Sequence, residues 1–106
     1  MRWSEVWWVR LDPSTSGARR KRLAIIVSND AANKFLNRVQ IVPLTSGKGR
    51  LYPSEARVTL VGKRCKAMAD QLATVSKSRL SACVGRLTPD DMQRVGEAVK
   101  VQLGLA

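Results

Sequence analysis

The sequence predicts a mainly β, α+β fold: a small β-barrel with one amphipathic helix docked on it at the C-terminus. Several short apolar segments rich in β-branched residues are separated by turn residues, which is typical of small β proteins. The last segment has the 3.6-residue hydrophobic spacing of a helix instead. With 106 residues, the chain can bury its own core, so we expect a single domain over residues 1–106.

The apolar segments predict five strands in chain order. They cover residues 5–11, 23–28, 38–42, 56–60 and 83–87. Pro13 closes the first strand, and Pro43 is expected to end the third because proline cannot donate to a sheet ladder. Gly62 marks a turn after the fourth strand. Asn29 is expected to cap a short helical turn.

Residues 66–75 are the least regular part of the sequence. They have helix-forming propensity, but the segment is short and lies next to two further turns. Residues 76–80 are expected to form one helical turn before the last strand. We therefore expect residues 66–80 to contain local helical structure.

The C-terminal helix has the clearest signals in the chain. Thr88 is placed as the N-cap, Pro89 at the first helical position and Asp91 at the third, which is a T-x-x-D capping arrangement. The helix is expected to end near Gly104. Its predicted buried face carries Met92, Val95, Val99 and Leu103.

The charge balance indicates a polyanionic partner. Nineteen Lys and Arg residues against eight Asp and Glu residues give a net charge of +11, whereas solubility needs only a net charge of about 2–8. Such an excess is typical of proteins that bind nucleic acid, or of proteins whose acidic partner competes with nucleic acid.

Other classes are excluded by composition. The chain has no His, which excludes histidine-based acid–base catalysis and the usual zinc sites. Cys65 and Cys83 are too few for a disulfide framework and have no C-x-x-C spacing. No signal peptide or membrane-spanning run is present, so we expect a cytoplasmic protein without a metal or other cofactor.

A run of four cations leads directly into the second predicted strand. Arg19, Arg20, Lys21 and Arg22 precede the apolar residues 23–27. A side chain at the first position of a strand is held more firmly than one in a loop. Arg22 is therefore the candidate to bind a phosphate in bidentate geometry. The other three are candidate contacts to a nucleic-acid backbone. The alternative is a solvated, purely surface charge run.

Hydroxyl groups and further cations follow the third predicted strand. The hydroxyls and backbone N–H groups of Thr45 and Ser46 can hold a phosphate, assisted by Lys48 and Arg50. Thr-Ser-Gly is also good turn chemistry, so a plain turn is the alternative.

Two further groups are candidates for contacts to a nucleic-acid base. Asp70 and Gln71 supply an acceptor and an amide for base edges, or Asp70 supplies a carboxylate base for a hydroxyl proton. The alternative for Asp70 is a loop cap. The pair Trp7–Trp8 is expected mainly in the core, but Trp8 or Trp3 can stack on a base.

Taken together, these segments resemble the MazF/PemK toxins of bacterial toxin–antitoxin modules, a family that includes Kid. The segment at residues 5–13 resembles the family opening G-E-[VI]-W-x-V-x-L-D-P, and the segment at residues 22–30 resembles the family sequence R-P-A-L-V-V-S-N-D. Six segments follow the family order along nearly the whole chain. They are EVWWVRLDP at residues 5–13, RLAIIVSND at 22–30, VPLTS at 42–46, YPSEARV at 52–58, ADQLATVSKSRL at 69–80 and GRLTP at 85–89.

The resemblance implies an SH3-like β-barrel, a homodimer and an acidic MazE-like antitoxin as partner. It also implies metal-independent cleavage of single-stranded RNA at short sequence motifs, in which the ribose 2′-hydroxyl attacks the adjacent phosphate. By position, Arg22 falls on the family's catalytic arginine, Thr45 on its catalytic threonine and Asp70 on an acidic residue. In the family, the acidic residue at the position of Asp70 is either the proposed general base of the reaction or a carboxylate that contacts a base of the RNA.

Three departures from the family pattern accompany the resemblance. Residues 14–18 contain no acid where the family has a loop Glu, Leu23 replaces a proline, and Ser4 replaces a glycine. The alternative function is non-catalytic: a toxin of the same fold that binds DNA gyrase, as CcdB does, or a nucleic-acid-binding module without activity. The Arg22–Thr45 pair favours the ribonuclease, because a gyrase binder has no chemical need for it.

Overall fold

A computed structural model of the chain describes residues 1–10 and 20–106. In this part of the chain the strands are β1 (Glu5–Arg10), β2 (Lys21–Ile26), β3 (Arg38–Ser46), β4 (Glu55–Leu60), β5 (Lys63–Met68), β6 (Ala73–Ser76) and β7 (Leu80–Arg86). The helices are α1 (Asp30–Phe35) and α2 (Pro89–Gln102), with short 3-10 turns at Ala69–Gln71 and Lys77–Arg79. The expectation of a mainly β, α+β fold is confirmed.

The seven strands form one antiparallel sheet in the order β4-β5-β3-β2-β1-β7, and β6 pairs with part of β3. Among the described strands this order has two ends, so the sheet is not closed by hydrogen bonds into a complete barrel. The two ends nevertheless approach each other. A β-carbon on Gly85 of β7 would lie 3.2 Å from Leu60 Cδ1 of β4, so the two edges pack closely at this point.

Pro43 does not end the third strand, and this expectation from the sequence is wrong. β3 continues through Pro43 to Ser46. On one side Pro43 is opposite Ala24 of β2. On the other side β6 pairs with Arg38–Ile41 and β5 with Leu44–Ser46. Pro43 therefore lies where one neighbouring strand gives way to the next, a position at which a missing N–H costs little.

The structure of residues 66–75 also differs from the helical structure that their propensity predicts. They form the second half of β5, a 3-10 turn and most of β6. Both strands pair with β3, so non-local hydrogen bonding overrides the local preference. The expected helical turn at residues 76–80 is present as Lys77–Arg79, and the last strand begins at Leu80, earlier than expected.

The sheet buries apolar side chains on both faces. The face toward α2 contains Val6, Ile25, Val42 and Leu44, which pack with Met92 and Val95 of α2, and the other face contains Val9, Ala24, Ile26, Val39, Ile41 and Leu80. Alternating residues of β2 and β3 thus supply two cores. The amphipathic α2 packs on one of them, as predicted, but Leu103 is 53% exposed because the helix ends there and the chain turns away at Gly104.

Both predicted helix caps are present. Asn29 Oδ1 accepts a hydrogen bond from Ala32 N (2.9 Å), and Thr88 Oγ1 accepts one from Asp91 N (3.1 Å). The buried carboxylate of Asp91 also accepts a hydrogen bond from Thr59 N (2.9 Å), which attaches the first turn of α2 to β4. No helix in the described part of the chain is long and apolar enough to cross a membrane.

Ser4, which replaces the family's glycine, lies at a position whose backbone conformation favours glycine. Its φ is 77°, in the left-handed region where glycine is favoured. The residue is buried, and its Oγ accepts a hydrogen bond from Arg86 Nε at 3.0 Å. This contact between the segment before β1 and the end of β7 offsets part of the conformational cost of a non-glycine residue.

The hairpin between β4 and β5 contains a strained turn. Leu60 pairs with Lys63, and the two intervening residues, Val61 and Gly62, have φ of 48° and 76°. These values define a type I′ turn, which favours Asn-Gly. Val61 is a β-branched residue in the left-handed region, and its side chain is 81% exposed, so packing does not compensate for the strain.

We expect Val61→Asn to stabilise the protein by about 1 kcal/mol, because asparagine adopts the left-handed conformation at lower cost. Chemical denaturation of the two proteins measures the difference in the free energy of unfolding. Val101→Asn is the control, because it makes the same exchange at an exposed helical position and should not stabilise. Equal or lower stability of the Val61 variant would contradict this account of the turn.

Candidate active site

A groove of about 530 Å³ opens where β2, β3 and β5 come together. Its cationic lining residues are Lys21, Arg22, Lys48, Lys63 and Arg64, and its neutral ones are Trp8, Leu23, Leu44, Thr45, Ser46 and Cys65. No carboxylate is among these described lining residues. The groove is therefore a strongly positive concave surface with an aromatic side chain and two hydroxyl groups, which suits a phosphate-bearing ligand.

Arg22 and Thr45 are brought together by the pairing of β2 with β3. The register places Ala24 opposite Pro43. Arg22 and Thr45 each lie two residues beyond this last pair, within β2 and β3. Alternate residues of a strand share a face, so the two side chains start from the same side of the sheet. Both line the groove.

The Arg22 guanidinium is held by uncharged partners. Its Nη1 donates a hydrogen bond to Gln71 Oε1 at 3.2 Å, and its Nη2 lies 4.0 Å from Met68 Sδ. Gln71 Nε2 also approaches that sulfur, at 3.6 Å. Because no ion pair to Arg22 occurs within the described residues, its positive charge stays uncompensated while its orientation is restrained. A phosphoryl group can take the remaining donors.

Asp70 and Gln71 take different positions although they are neighbours. Both belong to the 3-10 turn after β5, and both are exposed. Gln71 contacts Arg22, whereas Asp70 is not among the residues that line the groove. The structure thus places the Gln71 amide beside the candidate arginine, whereas Asp70 is exposed and is not among the residues that line the groove.

The other sequence-predicted RNA contacts are divided in the same way. Lys21, Ser46, Lys48 and the half-buried Trp8 line the groove. Arg20 and Arg50 are exposed but are not among its lining residues. Arg19 lies outside the described residues. The groove therefore unites both hydroxyl residues with three of the six predicted cations, Lys21, Arg22 and Lys48.

Hydrogen bonds from Arg57 of β4 hold the basic loop after Thr45 in place. The two terminal nitrogens of Arg57 donate to the carbonyl oxygens of Gly47 and Gly49, the second at 2.9 Å. Gly47 is required there, because a β-carbon would lie 2.8 Å from the carbonyl oxygen of Arg64. The loop bearing Lys48 is thereby fixed against β5.

A partly buried ion pair fastens the far end of the same loop. Lys66 Nζ lies 3.6 Å from Glu55 Oε1 and donates a hydrogen bond to the carbonyl oxygen of Arg50 at 3.0 Å. Glu55 also accepts a hydrogen bond from Tyr52 N at 3.0 Å. Both charges are satisfied by several partners, which is the condition for burying an ion pair without a large penalty.

Cys65 is a reactive residue type in the groove, but its environment keeps it neutral. Burial raises the pKa of the Cys65 thiol, and the positive charge of Lys63 only partly opposes this effect. Since the thiolate is the nucleophilic form, the thiol is not an activated nucleophile. Within the described residues no group of three or more Cys, Asp and Glu side chains lies close enough to hold a metal ion.

Sequence reasoning missed four residues at or beneath this site. Lys63, Arg64 and Cys65 of β5 line the groove, and Arg57 holds its loop. The available signal was Gly62 followed by two cations, which marks a hairpin that returns a strand beside β4. The further pairing of β5 with β3, which brings these cations to Thr45, has no local signal.

Comparisons with known proteins give a consistent result. The family model described as "PemK-like, MazF-like toxin of type II toxin-antitoxin system" matches residues 2–103. Endoribonuclease MazF9 of Mycobacterium tuberculosis is 36% identical to this chain, with 99% of this chain and 98% of the relative covered.

The structure resembles solved structures over their whole length. One is an endoribonuclease in complex with its cognate antitoxin from a mycobacterial species, with a TM-score of 0.84, 25% identity, and 100% of this chain and 97% of that chain covered. Another is the MazE–MazF complex of Deinococcus radiodurans, with a TM-score of 0.80, 23% identity, and 100% and 98% covered. The second likeness shows the fold alone.

The Arg57 contacts predict that Arg57→Gln loosens the basic loop without unfolding the sheet. Loss of one of these hydrogen bonds lowers the free energy of local opening by about 1–2 kcal/mol. Trypsin cleavage after Lys48 and Arg50 should then become faster by about tenfold, measured by mass spectrometry of timed digests. Arg38→Gln is the control, since Arg38 is exposed at the other end of β3. Unchanged loop cleavage in the Arg57 variant would contradict the fastening role.

Proposed function

Because the family model covers residues 2–103 of its 106, this chain belongs to the PemK/MazF-like toxins of type II toxin–antitoxin systems, and we propose that it cleaves single-stranded RNA at short sequence motifs without a metal ion. Its curated relative is named an endoribonuclease. The observation that carries the proposal is the convergence of Arg22 and Thr45 on one positive groove.

The proposed reaction is an attack of a ribose 2′-oxygen on the adjacent phosphorus. The O2′–P bond forms as the P–O5′ bond breaks. The 2′-hydroxyl passes its proton to solvent, and the leaving 5′-oxygen takes a proton from its donor, which solvent then reprotonates. The products are a 2′,3′-cyclic phosphate and a 5′-hydroxyl. No redox change occurs and no water is consumed, and the task of the protein is to position the phosphate and stabilise its developing negative charge.

Arg22 and Thr45 divide this task. The Arg22 guanidinium, oriented by Gln71, stabilises the charge of the pentacovalent phosphorane and is the candidate donor of the proton to the 5′-oxygen. The Thr45 hydroxyl donates to a non-bridging oxygen of the same phosphate. Preorganised donors of this kind typically contribute about 10²–10³-fold each to the rate.

Asp70 is better suited to contact a base of the RNA than to take the 2′ proton. This assignment is supported by its exposure and by its absence from the residues lining the groove. It would accept a hydrogen bond from an exocyclic amine of a base. Its neighbour Gln71 offers an amide to the same nucleotide.

The remaining contacts are to the RNA backbone and to one stacked base. Lys21, Lys48 and Ser46 are placed to contact phosphates from within the groove, and the half-buried Trp8 to stack on a base. Arg20 and Arg50 would contact phosphates outside it. The sequence-based proposal for Arg19 rests on its position in the same basic run.

The partners follow from the same surface. We propose an acidic MazE-like antitoxin that covers the basic groove, because mycobacterial and Deinococcus structures of the same fold are complexes with an antitoxin and because the net charge is +11. A homodimer of one domain over residues 1–106, acting in the bacterial cytoplasm, completes the proposal. Gyrase binding is not favoured, since the named relatives are endoribonucleases.

The purified protein should cut a mixed-sequence single-stranded RNA in the presence of EDTA and leave 2′,3′-cyclic phosphate ends. A single 2′-deoxy substitution on the 5′ side of the cleaved phosphate should abolish cutting there, because it removes the nucleophile. Arg22→Ala should lower the rate by about 10²–10³-fold. Sequencing of fragment 5′ ends, end-group analysis and timed gels give these results.

Circular dichroism of the Arg22 variant controls for its folding. Cleavage that requires a divalent cation, or that persists at the deoxy-substituted site, would contradict the mechanism. A gel shift without fragments would favour the non-catalytic nucleic-acid binder instead.

A further inference from the structure

A second basic cavity adjoins the groove on the side of α2. It measures about 290 Å³ and lies between β4, β5 and the first turns of α2. Its charged lining residues are Arg57, Arg64, Asp91 and Arg94. Arg64 lines both this cavity and the groove, so the two positive surfaces are continuous. The resemblance to the family does not account for these arginines, and the proposed reaction does not use them.

The charge of this second cavity is positive despite its carboxylate. Three guanidinium groups face one carboxylate, which leaves a net charge of +2. The Asp91 side chain is buried, and its two oxygens are occupied by Thr59 N at 2.9 Å and by Arg94 Nη2. Asp91 therefore positions Arg94 and presents little negative charge to a ligand.

Arg94 is fixed but accessible. Besides its contact with Asp91, its Nε donates a hydrogen bond to the carbonyl oxygen of Arg57 at 3.3 Å. The side chain of Arg94 nevertheless remains 55% exposed. Part of its donor fork can thus reach a ligand while the rest anchors it, which is the arrangement that favours recognition of phosphate oxygens.

Arg64 has a fixed backbone and an uncommitted side chain. Its backbone pairs with Thr59 of β4, and its carbonyl oxygen packs against Gly47. The exposed side chain makes no hydrogen bond or ion pair within residues 1–10 and 20–106, the part that the structure describes. The charges around this guanidinium are mostly positive. An anion that binds beside it is therefore stabilised electrostatically, and it supplies the partner that the guanidinium lacks.

We propose that Arg64 and Arg94 form a second phosphate-binding subsite, which holds the phosphodiester of a nucleotide that flanks the cleaved one. This inference rests on the proposed ribonuclease function and extends its substrate contact beyond the groove. An RNA strand that leaves the groove past Thr45 meets Arg64 first and then Arg94. The subsite reads no base and acts by holding the backbone, so it raises affinity for longer RNA without changing the cleavage motif.

The test is RNA binding as a function of length and salt. It compares a short RNA that ends at the cleaved motif with a longer one that extends beyond it on both sides, in an Arg22→Ala background that prevents cleavage. Arg64→Gln should lower affinity for the longer RNA by about fivefold and reduce the slope of log affinity against log salt by about 0.7, the value for one phosphate contact on a single strand. The affinity gained by extending the RNA should shrink accordingly.

Matched variants separate charge from geometry. Arg64→Lys should keep the salt slope, because the charge remains, but lose part of the affinity, because the fork is lost. Arg94→Lys keeps a cation for Asp91 and should reduce the gain from extension. Arg38→Gln removes the same charge about 23 Å from Thr45 along β3 and should leave the slope unchanged.

Each outcome decides the proposal. An unchanged salt slope and an unchanged gain from extension in Arg64→Gln would overturn it, even if the wild-type protein cleaves RNA as proposed. Loss of affinity for an acidic antitoxin peptide without loss for RNA would overturn it in favour of a protein-binding role. If the wild-type protein binds RNA with the expected Arg64 dependence but never cleaves it, the subsite stands and the ribonuclease function fails.

Discussion

The pairing of β2 with β3 is the constraint on which the candidate active site depends. Ile25 and Ile26 of β2 are fully buried, one on each face of the sheet, opposite Val42 and Ile41 of β3. A shift of the register by one residue would exchange the faces of a whole strand and expose these side chains. Arg22 and Thr45 each lie two residues beyond the paired stretch and line the same groove, so the packing that stabilises the fold also restrains the two groups assigned to the phosphate.

The surroundings of this pair keep its charge available. Neutral groups orient Arg22. Arg57 donates hydrogen bonds to carbonyl oxygens of the adjoining loop, and Lys66 contacts a carbonyl oxygen of that loop and the carboxylate of Glu55. Glu55 is thus occupied by structural partners, whereas no ion pair to a cation of the groove occurs among residues 1–10 and 20–106. Preorganised positive charge of this kind stabilises a developing phosphorane without reorganising during the reaction. We propose that the same field attracts the acidic antitoxin, which would link inhibition to catalysis on one surface.

Local signals predicted the parts of the structure that local chemistry determines. The Thr88 cap of α2, the Asn29 cap of α1 and the apolar strands follow from side-chain type and spacing, and the family pattern identified Arg22 and Thr45. The continuation of β3 through Pro43 could not be predicted, because it depends on which strands flank that residue. The contribution of Arg64 likewise depends on a pairing of β5 with β3.

A double-mutant cycle on the cleavage rate tests the central claim most directly. Single-turnover rates of the wild-type protein, Arg22→Ala, Thr45→Val and the double variant would be measured on one RNA, with folding checked for each. If both side chains act on the same phosphate in one transition state, their effects are strongly non-additive, and the double variant is about as slow as the slower single variant. Additive effects would show that the two residues act independently, and would contradict the account.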